Sequence, residues 1–297
     1  MTTHPYLVGL IGTGVTPSLT PALHMAEAAA HGLRYVYRPI DLSTLDLSPA
    51  DLPTILTWAE RLGFDAVNVT HPCKQTVLAH LDRVDPVAAG LGSVNTVLFT
   101  PDGRIGHNTD TTGFENAVRH GLPGADLRRV VQVGAGGAGS AVADALLRLG
   151  AGRLDIVDVD MARASALAGS LSSAHVGAAV EGHLPDALPG LLADAVGVVN
   201  CTPIGMHDHP GSPFPLELLR PDLWVADVVY RPLETPLLAA ARRLGATVLD
   251  GGHMAVHQAV DAFSLITGLR PDAGRMATHF RTLVASDAST PLKETSR

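Results

Sequence analysis

A glycine-rich segment in the middle of the 297-residue chain has the spacing of loops that bind phosphate groups. It reads Gly-Ala-Gly-Gly-Ala-Gly and lies between an apolar run and a helical pattern. Glycines at this place permit a tight turn and let backbone N–H groups approach a pyrophosphate at the helix N-terminus. An aspartate follows about 20 residues later, where a carboxylate can accept hydrogen bonds from ribose hydroxyls. We therefore predict a dinucleotide site comprising Gly134, Ala135, Gly136, Gly137, Ala138, Gly139 and Asp158.

Negative charge at the end of the next predicted strand favours NAD over NADP. A 2′-phosphate beside Asp158 would face that carboxylate and the carboxylate of Asp160. Like charges that meet in a partly desolvated site cost on the order of several kcal/mol. The nearest cation, Arg163, falls on the following predicted helix, where it could simply be exposed to solvent.

Four polar clusters lie in the first half of the chain, at predicted strand ends or in the loops that follow them. They are Ser18–Thr20, Asn68–Lys74, Ser93–Thr96 and Asn108–Asp110. Open α/β sheets bind ligands at the carboxyl ends of their strands. Each cluster alone has a structural explanation, as a helix cap, a turn or a surface charge. Together with a dinucleotide site they predict an anionic polyol as the substrate.

The composition excludes several classes of partner. Apolar residues make up 46% of the chain, and 21 basic against 29 acidic residues give a net charge of −8. A nucleic-acid binder would show a basic stripe, and no apolar run reaches the ~18–20 residues that a membrane span needs. Cys73 and Cys201 are too few for a disulfide framework. Since the N-terminus also lacks a signal-peptide pattern, we expect a cytoplasmic protein.

The elements that must position these groups follow an α/β pattern. In the first half, strands are predicted at 6–11, 35–41 and 64–70, and helices at 22–32, 53–63, 75–81 and 85–91. Residues 93–110 alternate as a hairpin does, with Asp102-Gly103 at the turn. Helices that alternate with strands imply a parallel sheet, from which this hairpin is an antiparallel departure.

After Thr112 the pattern begins again. A helix is predicted at 113–120, strands at 128–133, 153–160, 197–202, 224–230 and 246–250, and further helices from Gly251 and at 272–283. The fold class is therefore α/β, with residues 1–112 as one domain and 113–250 as a doubly wound, Rossmann-type dinucleotide domain. Residues 251–283 form C-terminal helices, and the polar segment 284–297 is predicted to be a disordered tail.

Motifs distributed over residues 6–283 resemble the shikimate dehydrogenase family. They are GLIG (9–12), SLT (18–20), NVTHPCK (68–74), SVNT (93–96), GHNTD (106–110), VGAGGAG (133–139), NCTPIGM (200–206), DVVYRPLETPLL (227–238) and HQAVDAF (257–263). Within the family the chain is most similar to the NAD-preferring quinate/shikimate dehydrogenases. The resemblance implies an enzyme that interconverts quinate with 3-dehydroquinate and shikimate with 3-dehydroshikimate. It also implies a cleft between the domains and C-terminal helices that return to the first one.

The same resemblance assigns roles to single residues. The catalytic pair is Lys74 and Asp110, with Lys74 exchanging a proton with the ring oxygen and Asp110 orienting it. The substrate carboxylate is expected at Ser18, Thr20 and Tyr230. The ring hydroxyls are expected at Thr70, Asn95, Asp110 and Gln258. The nicotinamide is expected near Val228 and Met254, and the adenosine side near Thr202.

The chain departs from the common family pattern at four places. Thr20 replaces a serine, which changes the wall beside the carboxylate, where quinate carries its additional hydroxyl. Asp158-Val159-Asp160 stands where NADP-dependent relatives carry Asn-Arg-Ser/Thr. Gly14-Val15 replaces Pro-Ile in the first loop, and His253 replaces a glycine before Met254. The sequence leaves the role of His253 open.

Other readings remain at this stage. The chain could be a shikimate-only dehydrogenase, a dehydrogenase of an aminated ring, or a non-catalytic NAD-binding sensor. No metal is expected, because His253/His257 and His207-Asp208-His209 lack a third ligand at a familiar spacing. A small cyclic polyol carboxylate is the expected partner, and the chain is expected to be a monomer or a homodimer.

Overall fold

The computed structural model describes residues 4–288, and this part of the chain contains two six-stranded sheets. The first sheet comprises β1 (Tyr6–Gly12), β2 (Tyr35–Asp41), β3 (Ala66–Val69), β4 (Arg83–Val84), β5 (Thr96–Thr100) and β6 (Gly103–His107). Its strand order is β2-β1-β3-β5-β6-β4. Strand β1 is parallel to β2 and β3, whereas β5 runs antiparallel to β3 and β6. The predicted hairpin is thus the antiparallel part of a mixed sheet.

The second sheet is parallel throughout. It comprises β7 (Arg129–Val133), β8 (Arg153–Val157), β9 (Ala179–His183), β10 (Gly197–Asn200), β11 (Trp224–Asp227) and β12 (Val248–Leu249). The order β12-β11-β10-β7-β8-β9 reverses direction between β7 and β10. This is the doubly wound arrangement, and ligands bind where the order reverses, beyond the carboxyl ends of the strands.

Ten α-helices connect and cover the sheets within residues 4–288. They are α1 (Thr20–Ala30), α2 (Leu52–Arg61), α3 (Pro86–Leu91), α4 (Asp110–Gly121), α5 (Gly137–Arg148), α6 (Met161–Ala174), α7 (Leu188–Asp194), α8 (Pro236–Arg243), α9 (Gly251–Thr267) and α10 (Ala273–Ala288). None of the helices described here is long and apolar enough to cross a membrane.

The last two helices return to the first half of the chain, as expected. Helix α10 packs on α1, where the buried Leu23 meets Met276 and Phe280. The Arg275 guanidinium donates two hydrogen bonds, of 2.6 and 2.8 Å, to the carboxylate of Glu27 on α1. Helix α9 lies along α4, so these helices connect the two sheets.

Several elements differ from the predictions. Residues 76–80 form a 3₁₀ turn rather than an α-helix, and the short strand β4 and the exposed edge strand β9 have no clear apolar pattern to reveal them. Helix α4 begins at Asp110 instead of 113, because the side chain of Asn108 accepts the N–H group of Asp110. Helix α10 continues to Ala288, so the beginning of the predicted tail is helical; residues 289–297 lie outside the described part of the chain.

Candidate functional site

The glycine loop joins β7 to α5 and is shaped by contacts that no larger residue would permit. A Cβ at Gly139 would lie 2.3 Å from the carbonyl oxygen of Gly134. Gly134 itself has φ +103°, and a Cβ there would come within 2.9 Å of the backbone of Cys201. The side-chain amide of Gln132 donates 2.9 Å hydrogen bonds to the carbonyls of Gly134 and Gly139 and so closes the turn.

The middle of the loop is open. Gly136 is exposed, and no heavy atom lies within 4 Å of the point where its Cβ would be. It precedes the first residue of α5, a helix of 12 residues whose N-terminal N–H groups favour an anion. A loop with this clearance at a helix N-terminus fits the pyrophosphate of a dinucleotide.

Asp158 lies directly after β8, buried beside the loop. One carboxylate oxygen accepts the N–H group of Ala135 at 2.8 Å, and the other accepts that of Asp160 at 2.9 Å. The first bond ties the carboxylate to the glycine loop, at the place where a ribose is expected. Strand β8 ends at Val157, earlier than predicted, because Asp160 caps α6 with its side chain.

Arg163 is not merely exposed to solvent. Its guanidinium lies 3.7 Å from a carboxylate oxygen of Asp158 and 3.7 Å from one of Asp160. One cation therefore stands between the two carboxylates, and half of its side chain remains in water. The ribose end of the candidate site thus holds two negative charges and one positive charge.

The loop after β10 closes the other side of the glycine turn. The Thr202 hydroxyl donates to the side chain of Asn200 at 2.7 Å, and its methyl group would touch a Cβ at Gly134. Asn200 in turn donates to Asp227 at 3.0 Å. Burial raises the pKa of Asp227 to about 6, although hydrogen bonds from Val229, Thr235 and Asn200 oppose the rise. Thr202 is therefore held at the glycine loop, where the adenosine side is expected.

Val228 and Met254 belong to one apolar layer. Both pack in the core beneath the second sheet, and Met254 is buried while Val228 is partly exposed. A Cβ at Gly251 would lie 2.5 Å from the carbonyl oxygen of Val228, so the start of α9 rests directly on the loop after β11. The two residues expected near the nicotinamide therefore share one region of the fold.

Lys74 and Asp110 form the centre of the site. The Lys74 ammonium nitrogen lies 2.6 Å from Oδ2 of Asp110. The Asp110 side chain is 2% exposed and that of Lys74 18%, so the lysine is the more accessible member of the pair. A Cβ at Gly137 would lie 3.9 Å from Cδ of Lys74. The two sites predicted from different halves of the sequence therefore meet.

A buried chain of hydrogen bonds holds Asn95 beside this pair. The Tyr37 hydroxyl donates to Asn68 at 2.6 Å, the amide of Asn68 donates to Thr96 at 2.8 Å, and the Thr96 hydroxyl donates to Asn95 at 3.0 Å. Asn95 donates to the hydroxyl of Thr109 and accepts its backbone N–H group. Since Thr109 precedes Asp110, the orientation of the Asn95 amide is tied to the start of α4.

Gln258 reaches the same region from α9. A Cβ at Gly113 would lie 2.9 Å from the backbone nitrogen of Gln258, so only a glycine allows α4 and α9 to approach this closely. Near this contact, the Thr112 hydroxyl donates to Asp261 at 2.5 Å. Gln258 therefore lies about one helical turn from Asp110.

Ser18, Thr20 and Tyr230 make a second group. Burial raises the pKa of the Tyr230 phenol, and the nearby hydroxyl of Ser18 opposes the rise. The Ser18 hydroxyl also accepts the N–H group of Thr20 at 3.3 Å. In the same loop, Arg231 donates to the carbonyl of Pro17 at 2.5 Å. The loop after β11 thus reaches across to the start of α1.

The two groups are connected at the end of β1. The N–H group of Thr13 donates to the carbonyl of His71 at 3.0 Å, and a Cβ at Gly12 would lie 2.4 Å from the methyl group of Thr70. The loop that leads to Ser18 therefore starts against the segment that carries Thr70 and Lys74.

His253 lies away from this centre. It contacts Asp250 at 3.3 Å, and a Cβ at Gly121 would lie 3.5 Å from its ring. Gly121 is the last residue of α4 and Asp110 the first, which places His253 at the opposite end of that helix, roughly 16 Å along its axis. The hydrogen bond and charge of Asp250 raise the pKa of His253.

One group of possible metal ligands, which the sequence did not indicate, occurs in the described chain. Ligand atoms of Asp155, Glu181 and His183 lie within 4.8 Å of one another. The Arg153 guanidinium already contacts both carboxylates, at 2.8 and 2.9 Å, and Arg129 contacts Asp155 at 3.2 Å. These cations balance the carboxylates, so the group is an ion-pair network of the sheet edge.

Sequence reasoning did not predict two residues that shape the site. Gln132 closes the glycine turn, and its only signal is a polar residue within the apolar run of β7. Asp41 accepts the N–H groups of Gly14 and Thr16, and its only signal is a carboxylate at the end of β2.

Comparison with known proteins identifies close relatives. Residues 10–97 match the family model described as the shikimate dehydrogenase substrate binding domain. The chain is 56% identical to a "Shikimate dehydrogenase (NADP(+))" of Pseudarthrobacter chlorophenolicus, over 96% of this chain and 97% of the relative. It is 51% identical to a "Quinate/shikimate dehydrogenase (NAD(+))" of Corynebacterium glutamicum, over 93% of this chain and 98% of the relative.

A solved structure shows the same fold. The solved structure of the quinate dehydrogenase from Corynebacterium glutamicum in complex with NAD superposes with a TM-score of 0.88 at 50% identity. The match covers 94% of this chain and 99% of that one. These relatives thus match more than nine-tenths of the chain, and their names divide between the two nicotinamide cofactors.

Proposed function

Because the chain belongs to the shikimate dehydrogenase family, we propose that it is an NAD-dependent dehydrogenase that interconverts quinate with 3-dehydroquinate and shikimate with 3-dehydroshikimate. Oxidoreductase chemistry with a nicotinamide dinucleotide follows from the family, whereas the use of NAD and of quinate is specific to this proposal. The observation that carries it is the 2.6 Å contact of Lys74 with the buried Asp110, next to the glycine loop.

In the proposed mechanism Lys74 moves the proton. During oxidation its uncharged amine takes the proton from the ring hydroxyl. The ring carbon that bears this hydroxyl loses a hydride, and its C–O bond becomes a carbonyl. In the reverse direction the ammonium returns that proton. A bound nicotinamide dinucleotide supplies the hydride acceptor or donor. General acid–base catalysis of this kind contributes typically 10²–10⁴-fold to a rate.

The neighbouring side chains orient the reacting ring. Asp110 accepts a hydrogen bond from Lys74 and so fixes the direction of its nitrogen. Asn95 and Gln258 flank the start of α4 and are assigned, with Thr70 and Asp110, to the ring hydroxyls. Ser18, Thr20 and Tyr230 are assigned to the carboxylate by the family resemblance, and their hydroxyl groups can donate hydrogen bonds to it.

The charges beside the glycine loop support NAD. A 2′-phosphate would enter a region where Asp158 and Asp160 outnumber Arg163. An unphosphorylated ribose instead presents hydroxyls that can donate hydrogen bonds to Asp158. The second candidate is an NADP-dependent, shikimate-only dehydrogenase. Arg163 favours it, because a guanidinium released from the carboxylates could bind a phosphate, and so does the name of the 56% identical relative.

Thr20 supports quinate as a substrate. It stands at the start of α1, beside Ser18, in the group assigned to the carboxylate. Compared with the serine of the common family pattern, its methyl group changes the wall of the proposed site next to the ring carbon at which quinate and shikimate differ.

Initial rates of NAD and NADP reduction, with quinate and shikimate as separate substrates, test the proposal. We expect both acids to be oxidised with NAD at mildly alkaline pH, and the Thr20→Ser enzyme to lose quinate activity relative to shikimate activity. Turnover of shikimate alone with NADP would establish the second candidate. Turnover only of an amino-substituted ring would instead indicate a dehydrogenase of an aminated ring. Binding of NAD without any turnover would indicate a non-catalytic NAD-binding sensor.

A further inference from the structure

The buried carboxylate of Asp41, at the end of β2, holds the loop that leads to Ser18 and Thr20. These two residues are assigned to the carboxylate of the substrate. Asp41 is 3% exposed. Its Oδ1 accepts the N–H group of Gly14 at 2.9 Å, and its Oδ2 accepts the N–H group and the hydroxyl of Thr16 at 2.8 and 2.7 Å. The N–H group and the hydroxyl of Ser43 also donate to Oδ1, at 3.2 and 2.7 Å.

These bonds specify the path of residues 13–18. Gly14 has φ +68°, which an L-residue rarely adopts, and its N–H group points at the carboxylate. At one end of the segment, Thr13 donates to His71; at the other, the N–H group of Ser18 donates to the carbonyl of Val15 at 3.0 Å. Asp41 therefore fixes the segment between Ser18 and the loop after β3 that carries His71 and Lys74.

The carboxylate is held in its charged form. Burial acts to raise the pKa of Asp41, but the hydrogen bonds from Ser43, Thr16 and Gly14 outweigh burial and keep the pKa below its ordinary value. All five donors are neutral N–H or hydroxyl groups. The charged carboxylate therefore orients the loop through hydrogen bonds and not through an ion pair with any of them.

We propose that Asp41 is a positioning residue for recognition of the substrate carboxylate: by anchoring Gly14 and Thr16 it sets where the hydroxyls of Ser18 and Thr20 stand. The inference rests on the proposed function, in which these hydroxyls bind the carboxylate. A loop that is already ordered binds its ligand without the entropic cost of being fixed at that moment. Loss of the anchor should therefore weaken binding of the acid more than it slows the chemical step.

Asp41→Asn is the direct test. Each carboxylate oxygen holds one N–H group of the loop, and a carboxamide has only one oxygen, so either orientation leaves Gly14 or Thr16 facing an NH₂ group. We expect the KM for the acid to rise about tenfold, while kcat stays within about threefold and the dissociation constant for NADH, measured by fluorescence, stays unchanged. The methyl ester, which lacks the carboxylate charge, should lose much less in kcat/KM than the acid.

Two further variants keep the test decisive. Thr16→Val removes one hydroxyl donor to Asp41 at nearly constant volume and should raise the KM of the acid in the same sense, by a smaller factor. It decides the matter if Asp41→Asn does not fold. Asp51→Asn is the matched control, because Asp51 also accepts an N–H group and a hydroxyl, both from Ser48, at a helix start away from the site.

The outcomes separate the two levels of the argument. A wild-type enzyme that oxidises neither quinate nor shikimate with either cofactor would refute the proposed function itself. With an active wild type, an unchanged KM in Asp41→Asn, or equal losses for the acid and its ester, would overturn the role of Asp41 alone.

Discussion

The Lys74 ammonium lies 2.6 Å from Oδ2 of Asp110, and the two side chains come from different elements of the first half of the chain. Lys74 is in the loop after β3, whereas Asp110 is the first residue of α4. Helix α4 also contacts α9 through Gly113 and Gln258. The position of the pair therefore depends on the packing of helices that connect the two sheets.

Two glycines of the loop should respond differently to alanine. Gly139→Ala places a methyl group 2.3 Å from the Gly134 carbonyl and should destabilise the fold, because the turn must open. Gly136→Ala meets nothing within 4 Å and should leave the unfolding temperature near that of the wild type. We expect it to raise the dissociation constant for NADH about tenfold or more, because its methyl group points where a pyrophosphate would approach. Thermal melts and fluorescence titration check both; equal NADH affinity in Gly136→Ala would contradict the position of the dinucleotide.

Removing the charges beside Arg163 should change the cofactor preference. The double variant Asp158→Asn, Asp160→Ser leaves a polar cap on α6 and frees Arg163 from both ion pairs. We expect the ratio of kcat/KM for NADP to that for NAD to rise by at least tenfold, since like-charge repulsion is replaced by attraction. Asp194→Asn, which removes an exposed carboxylate at the end of α7, is the control. A ratio that stays constant in the double variant would contradict the electrostatic argument.

Acid should destabilise the protein through His24. This residue is fully buried beside Tyr35 and Tyr37, and burial lowers its pKa from 6.5 to about 3. Between those values the unfolded chain binds a proton that the folded chain does not, so stability falls as the pH drops below 6.5. At pH 5 the contribution of His24 to the unfolding free energy is lower by about 2 kcal/mol than at pH 8.

Urea unfolding at pH 8, 6.5 and 5 checks this dependence. The curve of unfolding free energy against pH should be flatter for His24→Leu than for the wild type, whatever the absolute stability of the variant. His207→Leu, at an exposed position, should give a curve parallel to the wild type. Parallel curves for His24→Leu and the wild type would show that His24 does not contribute.

The shape of the glycine loop could be predicted because its determinants are contiguous. A turn of glycines between a strand and a helix carries its function in local backbone geometry, and Asp158 follows at the spacing of one βαβ unit. The doubly wound class of the second sheet followed in the same way from alternating apolar strands and helices, although β9 was not predicted. The division into domains, the roles of the site residues, the oligomeric state and the cytoplasmic location stay predictions.

The remaining features depend on side-chain directions that a sequence pattern does not contain. Asp41 and Gln132 bond to backbone groups whose positions are set by the fold, and Arg163 turns back onto the carboxylates instead of facing water alone. Strand β9 is an exposed edge strand, so its sequence lacks the apolar run that revealed its neighbours. The contact of Arg275 with Glu27 joins residues from opposite ends of the chain.

The most direct test of the account is the rate of Lys74→Ala, measured with saturating acid and NAD and compared with the wild type and Asp110→Asn. The account predicts that kcat falls about 10²–10⁴-fold, that the dissociation constant for NADH stays within twofold, and that added methylamine restores part of the rate. A Lys74→Ala enzyme whose kcat lies within threefold of the wild type would contradict proton transfer by Lys74.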